Sequence, residues 1–264
     1  MRFSILALFI FLLSLSCEEA LEFNPLDPEN PDYIPPETII TSGPSEGAVL
    51  DISSAVIAWE GNDLVIDYSY KHDSNDWSEW ADVTSVTLNY LDEGAHSFSV
   101  KGRYSETIED ETPASVSFTV DAVQGSGLRI YPLLTEVTTG ATFTVSLYAE
   151  EVSALTFGEV QISYNSSYAS FVSVERSGLL TGNAEDIIFI SEHTNGSSEG
   201  QIDLTFALTG EESLEGTGAL CIFTFTASSP GTFPLSISAG SVFRDKDNNN
   251  IPVSETVNGM VVVE

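Results

Sequence analysis

Asp245, Asp247 and Asn249 alternate within the run Asp245-Lys246-Asp247-Asn248-Asn249. Oxygen-bearing side chains at that spacing open a calcium loop. The rest of such a loop is missing. Asn250 stands where the sharp turn requires Gly, and Thr256 stands where a bidentate Glu closes the coordination sphere. A turn between strands is therefore the first reading, with Ca²⁺ on Asp245, Asp247 and Asn249 as the weaker one, and no other metal or cofactor is expected. The three histidines, His72, His96 and His193, are far apart in sequence. They show no metal-ligand spacing, and no nucleophile motif accompanies them. Carboxylates are so abundant that no pair stands out for glycoside hydrolysis. No catalytic residue is assigned, and the protein is expected not to be an enzyme. Trp77 and Trp80 sit in Trp77-Ser78-Glu79-Trp80, after Tyr68-Ser69-Tyr70. Aromatic rings on a hairpin can stack on sugars, which makes this pair a candidate carbohydrate site. The commoner use of such rings is packing over their own sheet.

The chain has 264 residues, with 8 Lys and Arg against 40 Asp and Glu, a net charge of −32. Phosphate backbones require Lys and Arg, so nucleic acid is excluded as a partner. Electrostatic adhesion to anionic lipid is disfavoured for the same reason. The charge itself reads first as solubility.

What must position these residues is β-structure. Between Ala141 and Glu175 apolar and polar residues alternate in three runs: Phe143, Val145 and Leu147; Val160, Ile162 and Tyr164; and the shorter Phe171–Val174. A period of two marks strands with one buried face. Short strands separated by turn signals fill 37–122, and ten more fill 128–264, with no convincing amphipathic helix. The chain reads as all-β, two β-sandwich domains, the second a two-sheet jelly roll. Residues 123–127, Val-Gln-Gly-Ser-Gly, read as a short flexible linker. Cys221, in an alternating strand, reads as a small buried hydrophobe.

Residues 1–16 carry one Arg and then an apolar run too short to span a bilayer, the pattern of a signal peptide. Leu13-Ser14-Leu15-Ser16-Cys17 resembles a bacterial lipobox, and Glu18-Glu19 resembles the surface-export signal of some Gram-negative lipoproteins. The resemblance implies lipidation at Cys17, export, and membrane attachment only through that anchor, at the outer membrane or cell surface. Residues 17–36, rich in Pro and acidic residues, read as an extended, solvated stalk.

Pro36, Trp59 and the run Leu91–Val100 resemble bacterial fibronectin type III or immunoglobulin-like modules. The second unit is similar to a cohesin domain, the receptor module that holds dockerin-bearing enzymes in cellulosomes. The matching stretches, in order, are Gly140–Val145, Val160–Asn165, Phe171–Glu175, Gly216–Leu220 with Phe223-Thr224-Phe225, Gly231, Asp245–Ile251 and Asn258–Val262. The resemblance implies a dockerin-like protein partner on one sheet face. Phe157, Glu159, Gln161 and Ser163 would lie at that contact, and Gln201, Asp203 and Thr205 would extend it. A face that only meets water is the alternative. Certain cellulose-binding modules share the fold, so a polysaccharide ligand also stays open.

Overall fold

The computed structural model describes residues 24–181 and 186–264. The apolar leader, Cys17 and the first residues of the stalk lie outside the described residues. The N-terminal half folds as β1 (Thr38–Ser42), β2 (Ala48–Leu50), β3 (Ser54–Gly61), β4 (Asp67–His72), β5 (Ser85–Asn89), β6 (Gly94–Ser105), β7 (Ile108–Glu109) and β8 (Ala114–Val120). One sheet runs β1-β3-β5 and the other β2-β8-β6-β4, with β7 on β6. Alternation in β6 and β8 sends Phe98, Val100, Val116 and Phe118 inward against Ile57 and Trp59 of β3. This core is separate from that of the C-terminal half.

The C-terminal half comprises β9 (Gly127–Tyr131), β10 (Leu134–Val137), β11 (Thr142–Leu155), β12 (Phe157–Tyr164), β13 (Ala169–Arg176), β14 (Ile187–Asn195) and β15 (Gly200–Leu208). It continues with β16 (Leu214–Ala227), β17 (Gly231–Ile237), β18 (Val242–Arg244), β19 (Asn250–Ile251), β20 (Glu255–Val257) and β21 (Gly259–Val263). One sheet is ordered β10-β21-β17-β12-β15-β14, with β18 and β19 appended; the facing sheet is β13-β16-β11-β9-β20. The protein is thus all-β, two sandwiches in series. The apolar stretch Leu128–Leu134 divides between two strands. Pro132 has no N–H to donate, and the chain leaves β9 to join the opposite sheet as β10. Cys221 is fully buried in β16, between Leu147 of β11 and Arg176 of β13.

Two segments differ from their compositional reading. From Asn24 the stalk is a repeat, Asn-Pro-x, Asp-Pro-x, Asn-Pro-x. The Asn24, Asp27 and Asn30 side chains accept the N–H groups of Leu26, Glu29 and Asp32 at 3.0, 2.9 and 3.0 Å. Successive backbone bonds, Asp27 to Asn24, Asn30 to Asp27 and Tyr33 to Asn30, stack the turns. Asx acceptors with Pro at the next position favour this geometry. Tyr104 Oη then donates to the Ile34 carbonyl at 3.0 Å, seating the segment's end on the first sandwich. Nor is the stretch 123–127 free. Glu93 accepts the N–H groups of Ala122 and Val123 at 2.9 and 3.0 Å, Val123 is buried, and Gly127 already belongs to β9. Glycine and serine content records chain polarity, not these acceptors.

Candidate functional site

Strand β12 pairs antiparallel with β15, placing Glu159 opposite Thr205, Gln161 opposite Asp203 and Ser163 opposite Gln201. Directly opposed residues share a face, so the two expected sets form one continuous surface. Beneath it Val160, Ile162, Ile202 and Leu204 are buried. The polar end is hydrogen-bonded. Gln161 Nε2 donates to Asp203 Oδ1, and Gln201 Nε2 to Asp203 Oδ2, both at 2.8 Å. One carboxylate therefore holds two amides in fixed orientation and still leaves their carbonyl oxygens to an external donor.

The neighbouring strand adds residues that alternation within β12 and β15 does not point to. Ile188 of β14 lies opposite Ala207, Ile190 opposite Thr205 and Glu192 opposite Asp203. Ile188 and Ile190 are 48% and 51% exposed. On the other flank, Phe157 pairs with Arg244 and Glu159 with Val242 of β18. The face is thus divided: an apolar end with Ile188, Ile190, Ala207, Phe157 and Val242, and a polar end carrying Glu192, Asp203, Gln161 and Gln201. The run Ile187-Ile188-Phe189-Ile190 reads as a wholly buried strand from hydropathy alone. Only Ile187 and Phe189 pack on the core. At the far end of the strand His193 Nε2 meets Tyr164 Oη at 2.9 Å and its ring stacks on Tyr164. Burial pushes the Tyr164 phenol pKa up, although it accepts the Phe171 N–H.

The Asp245–Asn249 run is the hairpin between β18 and β19. Asp245 Oδ1 accepts the N–H groups of Asp247 and Asn249 at 2.9 and 2.8 Å, and its Oδ2 accepts Asn249 Nδ2 at 2.8 Å. These bonds, the Asn249 side chain first, hold the Asp245 carboxyl below its ordinary pKa. Asn249 turns a donor toward Asp245, where a calcium loop would need its oxygen turned to a shared centre.

Trp77 and Trp80 are engaged by cations. Lys101 Nζ lies 5.0 Å from the Trp77 ring centre and 5.3 Å from that of Trp80. Lys71 Nζ adds a contact to Trp77 at 5.1 Å and the Arg103 guanidinium one to Trp80 at 4.3 Å. Arg103 is itself held by Asp67 at 2.6 and 2.7 Å. A sugar ring would have to compete with these cations for the indole faces. Trp77 also lines a groove of about 860 Å³ with Tyr33, Pro35, Pro36 and Lys101.

Likeness to known proteins is confined to chain path. Among solved structures, about half of the chain is similar to cohesins. A non-cellulosomal cohesin from the hyperthermophilic archaeon Archaeoglobus fulgidus is 17% identical; the match covers 53% of this chain and 91% of that one, with a TM-score of 0.43. The sixth cohesin from scaffoldin B of Acetivibrio cellulolyticus, solved with a Cel5 dockerin, is 18% identical over 53% of this chain and 100% of that one, TM-score 0.45. A second type II cohesin module from the adaptor ScaA scaffoldin of the same organism is 16% identical over 52% and 90%, TM-score 0.45. No protein-family model matches the chain, and no curated protein does.

Proposed function

We propose that the protein is a non-catalytic receptor whose C-terminal sandwich docks a dockerin-like protein partner on the β14-β15-β12 face. The observation that carries this reading is the division of that face. Two half-exposed isoleucines and Phe157 supply an apolar end, beside a carboxylate–amide network that presents oriented polar atoms. Apolar anchors next to a hydrogen-bonding rim are the makeup of an interface. The ordered resemblance of 128–264 to cohesins points to the same type of partner. Export and lipid anchoring through Cys17, with the N-terminal sandwich as a fibronectin- or immunoglobulin-like spacer, complete the proposal.

The test is calorimetry of the purified chain against modules with paired calcium loops from the source organism. Ile190→Asp places a charge at the apolar end and should weaken binding by ~2 kcal/mol, roughly thirtyfold. Glu159→Lys should weaken it while moving folding stability by only about ±0.5 kcal/mol. Affinity unchanged in both variants and in Phe157→Ala would remove the interface from this face.

A further inference from the structure

The N-terminal sandwich brings together two histidines that the sequence keeps 24 positions apart. His72 ends β4 and His96 lies near the start of β6, and antiparallel pairing of those strands sets His72 opposite Phe98. The two imidazoles stack with ring centres 5.3 Å apart, and His96 stacks in turn on Phe118. Asp73 closes the group. Its Oδ2 is 2.8 Å from His96 Nδ1 and 3.0 Å from His72 Nε2, and the two nitrogens are 3.2 Å apart. Among the described residues this is the single group of three His, Cys, Asp or Glu side chains with ligand atoms so close together.

The tautomers make the cluster more than a contact. His96 Nε2 lies 2.7 Å from the backbone oxygen of Asp92. A carbonyl can only accept, so that nitrogen carries the proton. In neutral His96 the remaining nitrogen, Nδ1, then aims a lone pair at the Asp73 carboxylate. Two acceptors at 2.8 Å repel unless a positive charge stands between them. A divalent ion set between the three atoms would accept a lone pair from each of them.

We propose that His72 Nε2, His96 Nδ1 and Asp73 Oδ2 form a binding site for a divalent transition metal of the zinc class. Ligands at ~2.0–2.1 Å from zinc in tetrahedral array stand ~3.3 Å from one another, and in octahedral array ~2.9 Å. The observed separations of 2.8, 3.0 and 3.2 Å lie within about 0.1 Å of that range. Imidazole and carboxylate donors suit zinc, iron, nickel and copper better than calcium. Both outer contacts that hold such ligands are present. His96 gives its other N–H to the Asp92 carbonyl, and Asp73 Oδ1 accepts the Ser97 N–H at 2.7 Å. Asp73 is also pinned through its backbone, donating to the Ser97 carbonyl at 2.8 Å. The His72 and Asp73 side chains are 22% and 35% exposed, leaving an open side where water completes the coordination. The bound ion would tie the turn after β4 to β6. Through Asp92, whose carboxylate accepts the Leu133 N–H at 2.8 Å, the site also connects to the C-terminal sandwich.

The experiment uses the full chain without a polyhistidine tag, stripped with a chelator and titrated with Zn²⁺ against a chromophoric competitor. Excess Ca²⁺ occupies the exposed carboxylates. Binding of one Zn²⁺ per chain is expected, weakened at least tenfold in His72→Ala and in Asp73→Asn. Both positions are partly exposed, and Trp fluorescence, reporting Trp59 in that core, verifies that each variant is folded. Co²⁺ bound at the same site should give visible absorption bands of nitrogen coordination that vanish in His72→Ala. Zinc binding of equal strength in wild type and variants, or none beyond the competitor's background, would overturn the assignment.

Discussion

Gly158 lies in β12 between Phe157 and Glu159, facing inward beneath the proposed docking surface. A Cβ built there would sit 2.4 Å from both Cε1 and Cζ of Phe206 and 3.2 Å from Cδ1 of Phe243. Both rings are fully buried and meet edge to face, with centres 6.3 Å apart. Phe206 cannot swing aside without opening a void among its neighbours. Gly158→Ala should therefore destabilise by the cost of overpacking, about 1–3 kcal/mol. A gain of ~0.4–1 kcal/mol from a stiffer unfolded chain offsets part of it. The net loss of ~1–2 kcal/mol, with a urea slope near ~2 kcal/mol/M, lowers the midpoint by roughly 0.5–1 M. Two probes separate the sandwiches. All 3 tryptophans, Trp59, Trp77 and Trp80, belong to the N-terminal one. Cys221, with no exposure, reports the C-terminal one when its thiol becomes labelled. With Cys17 changed to Ser, the thiol midpoint should fall while the Trp midpoint stays. Gly210→Ala, whose new Cβ would meet nothing nearer than 3.9 Å, should leave the Trp midpoint in place and keep or slightly raise the thiol midpoint. An unmoved thiol midpoint in Gly158→Ala would refute the packing argument.

Arg129→Ala should cost ~3–5 kcal/mol by thiol labelling, because it strands buried Glu150 without its partner; a loss under ~1 kcal/mol would mean that water reaches Glu150. Burial raises the pKa of Glu93 above its ordinary value, against its bonds from Val123 and Ala122. A carboxylate with a raised folded pKa holds its proton more tightly when folded. Ionised Glu93 therefore weighs against folding at neutral pH, and this is relieved as pH falls through the raised pKa. The Trp midpoint should rise on mild acidification more in wild type than in Glu93→Gln, and parallel curves would refute this. Lys101→Ala should change Trp emission and cost ~1 kcal/mol by the same probe. Association with the proposed partner should slow as salt rises while dissociation changes little, and salt-independent association would count against a basic partner.

The fold was legible where one sheet face is buried and the other wet. Strand β12 reads correctly to the residue because Val160, Ile162 and Tyr164 alternate with Glu159, Gln161 and Ser163. Legibility fails where backbone bonds replace side-chain burial. Ala48–Leu50, Ile108–Glu109 and Glu255–Val257 are too short to show a period. Strand β11 runs on beyond its regular alternation to Leu155, with register shifts after Ala149 and Val152. Leu64 and Ile66 resemble strand residues but are exposed, since the turn at Asn62 delays β4 until Asp67.

The candidate sites were legible in proportion to how local they are. Alternation within one strand places Glu159, Gln161 and Ser163 together, and alternation in another does the same for Gln201, Asp203 and Thr205. That Asp203 bonds both amides, and that Ile188 and Ile190 flank them, follows from the register of β12, β15 and β14, which no single strand encodes. The histidine pair is hidden for the same reason, its spacing fixed by how β4 lies on β6. Composition gives the sign of the surface but not where the 8 cations go. Lys71, Lys101 and Arg103 are spent on the indoles, and Arg129 is buried against Glu150. Lys246 stays exposed in the β18–β19 hairpin, and among the described residues Arg244 is the one Lys or Arg on the proposed docking face, beside Phe157. Glu159, Asp203 and Glu192 otherwise meet solvent without a basic neighbour on that face. A partner docking on the proposed face would have to bring its own Lys or Arg to meet these carboxylates, so the face would select for charge.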